Sequence, residues 1–86
     1  MRKLLNTLFV TKSDVYLGVE GENILIREDG KLRARFPLHN LESIVIFNYN
    51  GISPHTMQKC MENGIGINFL SETGYYLGTV SGYPNG

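Results

Sequence analysis

Hydrophobic positions along this chain recur mostly at every second residue, the spacing that sends alternate side chains to opposite faces of a strand. Leu4 to Val10 reads as a first strand and Thr11 to Asp14 as a polar turn. Val15, Leu17 and Val19 then alternate with Tyr16, Gly18 and Glu20. After a turn at Gly21-Glu22-Asn23, Ile24 to Glu28 reads as another strand. Asp29-Gly30 tolerates the positive φ angles of a two-residue hairpin turn. The return strand places Leu32, Ala34 and Phe36 on one face and Lys31, Arg33 and Arg35 on the other. Pro37 cannot donate a ladder hydrogen bond, so that strand ends there or lies at an edge.

Ile44 to Phe47 is apolar on both faces, the pattern of a central strand covered on two sides. Asn48 to Ile52 reads as a loop. Ser53 is placed to cap a helix whose first position suits Pro54. Met57, Cys60 and Met61 share one face of that helix, and Asn63-Gly64 ends it. Ile65 to Leu70 reads as a buried strand, Ser71 to Gly74 as a turn, Tyr75 to Val80 as a last strand and Ser81 to Gly86 as a tail. The expected fold is mainly β with one α-helix, in six to seven short strands, the helix lying between the central strand and the last two.

Length and composition narrow this further. At 86 residues the chain is one domain at most, and 42% hydrophobic content is too apolar for disorder. Eight basic and eight acidic residues cancel, so global charge predicts no nucleic-acid partner and any such contact must come from local clustering. The single cysteine, Cys60, has no internal disulfide partner, which fits a reducing cytoplasm. No apolar run approaches the ~20 residues that cross a bilayer. Met1 to Leu5 imitates the start of a signal peptide, but Asn6 and Thr7 interrupt it, so the expected location is cytoplasmic, without a membrane.

Familiar chemistries find little purchase. His39, His55 and one cysteine cannot form a closed zinc site. Gly64-Ile65-Gly66 follows a helix where a phosphate loop would open one. Asp29-Gly30-Lys31 imitates the Asp-x-Lys piece of a metal nuclease, yet the hairpin turn explains it and further convergent carboxylates are needed. Cys60 reads as a small core residue. No catalytic residue and no metal ligand is therefore assigned. The stripe Lys31, Arg33, Arg35 is the one feature with binding character, because a guanidinium presents a fixed fork of donors to phosphate. A solvated strand face is the competing reading, and Lys12 and Lys59 are lesser candidates of the same kind.

The ordered motifs resemble the CRISPR-associated adaptation integrase family. Phe36-Pro37-Leu38-His39-Asn40-Leu41-Glu42-Ser43-Ile44-Val45-Ile46-Phe47 is similar to that family's central segment of a hydrophobic-Pro pair, a polar link and a buried strand. Ser53 to Phe69 continues the resemblance with a helix opening at Ser, a small residue at Cys60, a Gly64 stop and a strand. The Gly74 turn and Val80-Ser81-Gly82 complete it, and Leu5-Asn6-Thr7-Leu8-Phe9-Val10 resembles the type I-C branch.

The resemblance implies a small twisted β-sandwich at residues 1–82, the family's amino-terminal domain. A tail at 83–86 would lead to a helical catalytic domain outside this sequence. There the family holds magnesium or manganese and inserts new spacers into a CRISPR array, so the fragment itself is expected to be non-catalytic and without a cofactor. The implied partners are a second copy of the chain, double-stranded DNA from spacer precursor and array, and a small ferredoxin-like adaptation subunit. Family members contact duplex phosphates from the strand before the proline, which carries Arg33 and Arg35 here. They also use the helix, where the position falls near Gln58 and Lys59, and Gln58 is not cationic. The aromatic with which some members cap a duplex end is missing from the Thr11 to Asp14 tip, and Tyr16 lies nearby. The alternative reading is a free-standing β binding module unrelated to these integrases. A reading frame continuing past Gly86 into a helical domain separates the two.

Overall fold

The computed structural model describes residues 2–4, 6–47 and 51–82. In chain order these form β1 (Arg2–Leu4), β2 (Thr7–Val10), β3 (Val15–Glu20), β4 (Asn23–Glu28), β5 (Lys31–Pro37), a 3-10 turn (Leu38–Asn40), β6 (Ser43–Ile46), β7 (Gly51–Ile52), α1 (Pro54–Glu62), β8 (Gly66–Leu70) and β9 (Tyr76–Val80). One sheet has the order β1-β2-β6-β8-β9 and the other β5-β4-β3-β7. The mainly-β fold with one helix is as expected. The strand count is higher, for two local reasons. The run expected as one strand from Leu4 to Val10 is broken near Asn6 into β1 and β2, which pair antiparallel with Lys3 opposite Leu8. The stretch expected as loop up to Ile52 ends in β7, which pairs parallel with β3. Its residues 48–50, like the tail at 83–86, lie outside the described residues.

The two sheets share one core. Leu8 and Val10 of β2, Ile44 and Ile46 of β6 and Ile67 of β8 meet Val15 and Leu17 of β3 and Ile24 and Ile26 of β4. Leu38 and Leu41 close the core between β5 and β6, and Cys60 and Ile65 close it from the helix side. β6 is central, parallel to both β2 and β8. It is fully covered on one face only, since Ile44 and Ile46 are buried whereas Ser43 and Val45 are half-exposed.

The helix begins where the sequence places it. The Thr56 N–H donates to Ser53 Oγ at 3.1 Å, satisfying one of the unpaired donors of the first turn. It ends at Gly64, whose φ of +70° needs no Cβ, while the Ile65 N–H reaches back to the Cys60 carbonyl at 2.8 Å. The buried side is shifted by one position from the expected one. Thr56 and Cys60, four residues apart, are fully buried, Met57 packs beside them, and Met61 is half-buried outside the core cluster. The Thr56 hydroxyl is tolerated there because it lies 2.6 Å from the Ser53 hydroxyl.

Candidate nucleic-acid interface

The hairpin β4–β5 carries the cations that the sequence singles out. Its turn is the expected one, with Asp29 at φ 53° and Gly30 at φ 77°. The expected faces of β5 are not. Ile24 pairs with Phe36 and Ile26 with Ala34, but Arg27 pairs with Leu32, so Arg33 is an inserted residue in a β-bulge. One extra residue inverts the alternation beyond it. Lys31 therefore falls opposite Glu28, and Leu32 leaves the face of Ala34 and Phe36 for the solvent side, where it is 44% exposed. The three-cation stripe is thereby broken.

Each cation then has its own setting. Arg33 reaches Glu28 with Nε–Oε1 at 3.5 Å, an exposed pair that salt screens easily. Arg35 is exposed opposite Leu25 and makes no ion pair among the described residues. Lys59 reaches from α1 to Glu22 in the β3–β4 turn, Nζ–Oε1 3.4 Å. Lys12 is exposed in the turn before β3. Glu22 lies at the Glu20–Asn23 end of the β3–β4 ladder and Lys12 near the Val15–Glu28 end. Five residue steps separate those ends, about 17 Å of strand. The structure thus brings Arg35 and Arg33 onto one hairpin strand and leaves Lys12 and Lys59 at opposite ends of the sheet.

A further cation, not singled out from the sequence, stands beside Arg35. Ile24 and Ile26 face the core, so Leu25 and Arg27 point to the outer face of the same sheet. Arg27 sits between Tyr16 on β3 and Leu32 on β5. Tyr16 is 47% exposed and its ring lies against Gly51, where any Cβ would come within 2.6 Å of Cδ1. Leu25 is only 4% exposed although it is outside the core cluster, so the side chains around it must cover it. Arg27, Arg35 and Tyr16 form an outer face with two cations and one flat aromatic. The signal was present in β4, whose strict alternation puts Arg27 outward as soon as Ile24 and Ile26 are taken as core.

The remaining reactive groups do not converge. His39 and His55 are exposed, one in the 3-10 turn and one on the helix. Burial pushes the Cys60 thiol up to about 11, away from the thiolate that nucleophilic chemistry needs. Among the described residues no three His, Cys, Asp or Glu side chains stand together as a metal ion requires. These residues do not fit the magnesium or manganese that the resemblance implies for a longer protein. No described helix is long and apolar enough to cross a membrane.

Comparison with known proteins completes the picture of the site. The family model for CRISPR associated protein Cas1 matches residues 8–86. A CRISPR-associated endonuclease Cas1 of Chlorobaculum tepidum is 42% identical over all 86 residues, and one of Rhodospirillum rubrum is 39% identical over 82 residues, 95% of the chain. The chain spans about a quarter of each, 25% and 24% of their lengths. Among solved structures, a Cas1 protein from Thermotoga maritima superimposes with a TM-score of 0.79 at 19% identity, over 92% of this chain and 25% of that one. A TtCas1–DNA complex gives 0.75 at 18% identity, over 93% of this chain and 27% of that one. At such identities the structural matches establish the shared fold.

Proposed function

The chain belongs to the Cas1 family, and from that premise we propose that it is the amino-terminal assembly and DNA-docking domain of a CRISPR adaptation integrase. The parent protein would insert new spacers by metal-dependent transesterification, with its magnesium or manganese ligands outside these 86 residues. Residues 1–82 would be the docking domain and 83–86 the lead into the catalytic part. Its partners would be a second copy of the chain, duplex DNA and the small ferredoxin-like adaptation subunit, in the cytoplasm. The observation that carries this reading is the 42% identity to a Cas1 over the whole chain, covering only a quarter of that relative. Two proteins of the same fold support DNA and a Cas2 subunit as partners by what they are named: a Cas1 bound to DNA and a Cas6-RT-Cas1–Cas2 complex. Family membership argues against an unrelated free-standing module.

The docking face we assign is the outer side of the β5-β4-β3-β7 sheet. Arg35 and Arg27 would take phosphates, as would Arg33 after release from Glu28, a pair whose exposure makes the exchange cheap. Lys12 and Lys59 would act at the two ends of that sheet. The test is fluorescence anisotropy of labelled duplexes of unrelated sequence, titrated between about 50 and 200 mM salt. Binding that ignores sequence and weakens with log salt, by a slope of about −0.9 per neutralised phosphate, is expected. No binding at the lowest salt, or binding to one sequence alone, overturns the docking reading.

A further inference from the structure

We propose that Glu28 and Glu22 are internal competitors for the phosphate sites of the docking face, each holding one of its cations until nucleic acid displaces it. The inference rests on the docking reading above and deepens it, from which cations bind to what restrains them. Arg33 and Lys59 lie on different elements, yet each is met by a glutamate from one end of the same strand. Glu28 is the last residue of β4 and reaches Arg33, Nε–Oε1 3.5 Å. Glu22 stands in the turn before β4 and takes Lys59, Nζ–Oε1 3.4 Å. A carboxylate offers these donors the same kind of anionic oxygen that a phosphate offers.

Local structure brings both acids there. Glu28 lies opposite Lys31 across the hairpin, and a bulge re-aims the side chain it carries, here Arg33, which reaches the same carboxylate. At the other end, Lys59 lies in the last turn of α1. The Leu38 N–H donates to the Glu22 carbonyl at 2.8 Å and holds the turn from which the Glu22 side chain extends. That bond uses the main chain, so the carboxylate is free to leave without unmaking the turn.

Both contacts are longer than the about 2.7–2.9 Å of a strong charge-assisted hydrogen bond, and exposed pairs of this kind open easily. They open in different ways. The Glu22 side chain is 72% exposed and that of Lys59 27%, so the acid swings away and the ammonium stays. The Arg33 side chain is 49% exposed and that of Glu28 26%, so there the guanidinium swings out. A duplex brings a negative charge for each ~1.7 Å of its axis and releases counterions along its footprint, which outweighs two weak pairs. The acids therefore lower the affinity of the face without closing it. Arg35, which makes no ion pair among the described residues, is left as a first contact.

The experiment is anisotropy of a labelled duplex at one low salt concentration, with circular dichroism as the fold check. Glu28→Gln and Glu22→Gln are each measured alone and combined with Arg33→Ala or Lys59→Ala respectively. Glu72→Gln, on the exposed turn between β8 and β9 of the other sheet, is the control for losing one negative charge. Each glutamine should tighten duplex binding by about threefold, more than the control does. That gain should shrink to the level of the control once the partner cation is alanine, because the competition is pairwise. No gain, or a gain that persists without the partner cation, overturns the role of that acid and spares the docking face. A wild-type chain that binds no duplex at the lowest salt overturns the docking reading and this inference with it.

Discussion

β5 and β9 are both edge strands, one in each sheet, and both are bulged, yet their side chains differ in character. β5 carries Lys31, Arg33 and Arg35, is interrupted by a bulge and closes on Pro37. Each of these is a known means of keeping another strand away. β9 is bulged as well, at Leu77, but it opens with Tyr76 and Leu77 exposed and has no charge. The difference is one of charge: β5 offers cations to solvent, whereas β9 offers an uncharged, partly apolar edge. Charge that suits phosphate is the same charge that forbids self-pairing.

Substitutions test this contrast, beginning with the most damaging. Ile44→Ala removes a fully buried side chain from the core that both sheets share, and should cost about 2–5 kcal/mol in urea unfolding. Both sheets should unfold together, in one transition; separate transitions would mean that the edges do not share a support.

Alkaline pH comes next. Burial raises the Cys60 thiol from 9.0 to about 11, so the folded state favours the protonated form. Stability from this group is fully present below pH 9, and is lost as pH rises through about 11, for a total of about 2–3 kcal/mol. Cys60→Ala should flatten that part of the pH profile. An equal alkaline loss in the variant would show that another group is responsible.

Ser53→Ala removes the helix cap and should cost about 1 kcal/mol in thermal or urea unfolding. The smallest change is expected for Arg33→Ala, within about 0.5 kcal/mol of wild-type stability because its pair with Glu28 is exposed. Its loss of duplex affinity should also be smaller than that of Arg35→Ala, since Arg35 makes no ion pair among the described residues. The reverse order would put the phosphate contact at the bulge.

Much of the fold is legible in the residues themselves. Asp29-Gly30 announces its hairpin because few other residue pairs accept two consecutive positive φ angles, and Ser53-Pro54 with Gly64 brackets the helix by chemistry at both ends. The Arg33 bulge is not legible, because a bulge is a mismatch between two strands and alternation within one strand cannot reveal it. The same holds for the parallel pairings of β6 with β2 and β8, which join segments far apart in sequence. For the candidate site, the consequence is specific: Lys31 leaves the expected stripe, and Arg27, read from β4 alone, takes its place beside Arg35.

The most direct test of the docking face is the salt dependence of duplex binding by Arg27→Ala/Arg35→Ala, measured by anisotropy against the wild-type chain. Removing two phosphate-neutralising cations per chain should make the slope of log affinity on log salt shallower by about 1.8 for each chain bound. A slope and affinity equal to those of the wild type would contradict a docking role for that face.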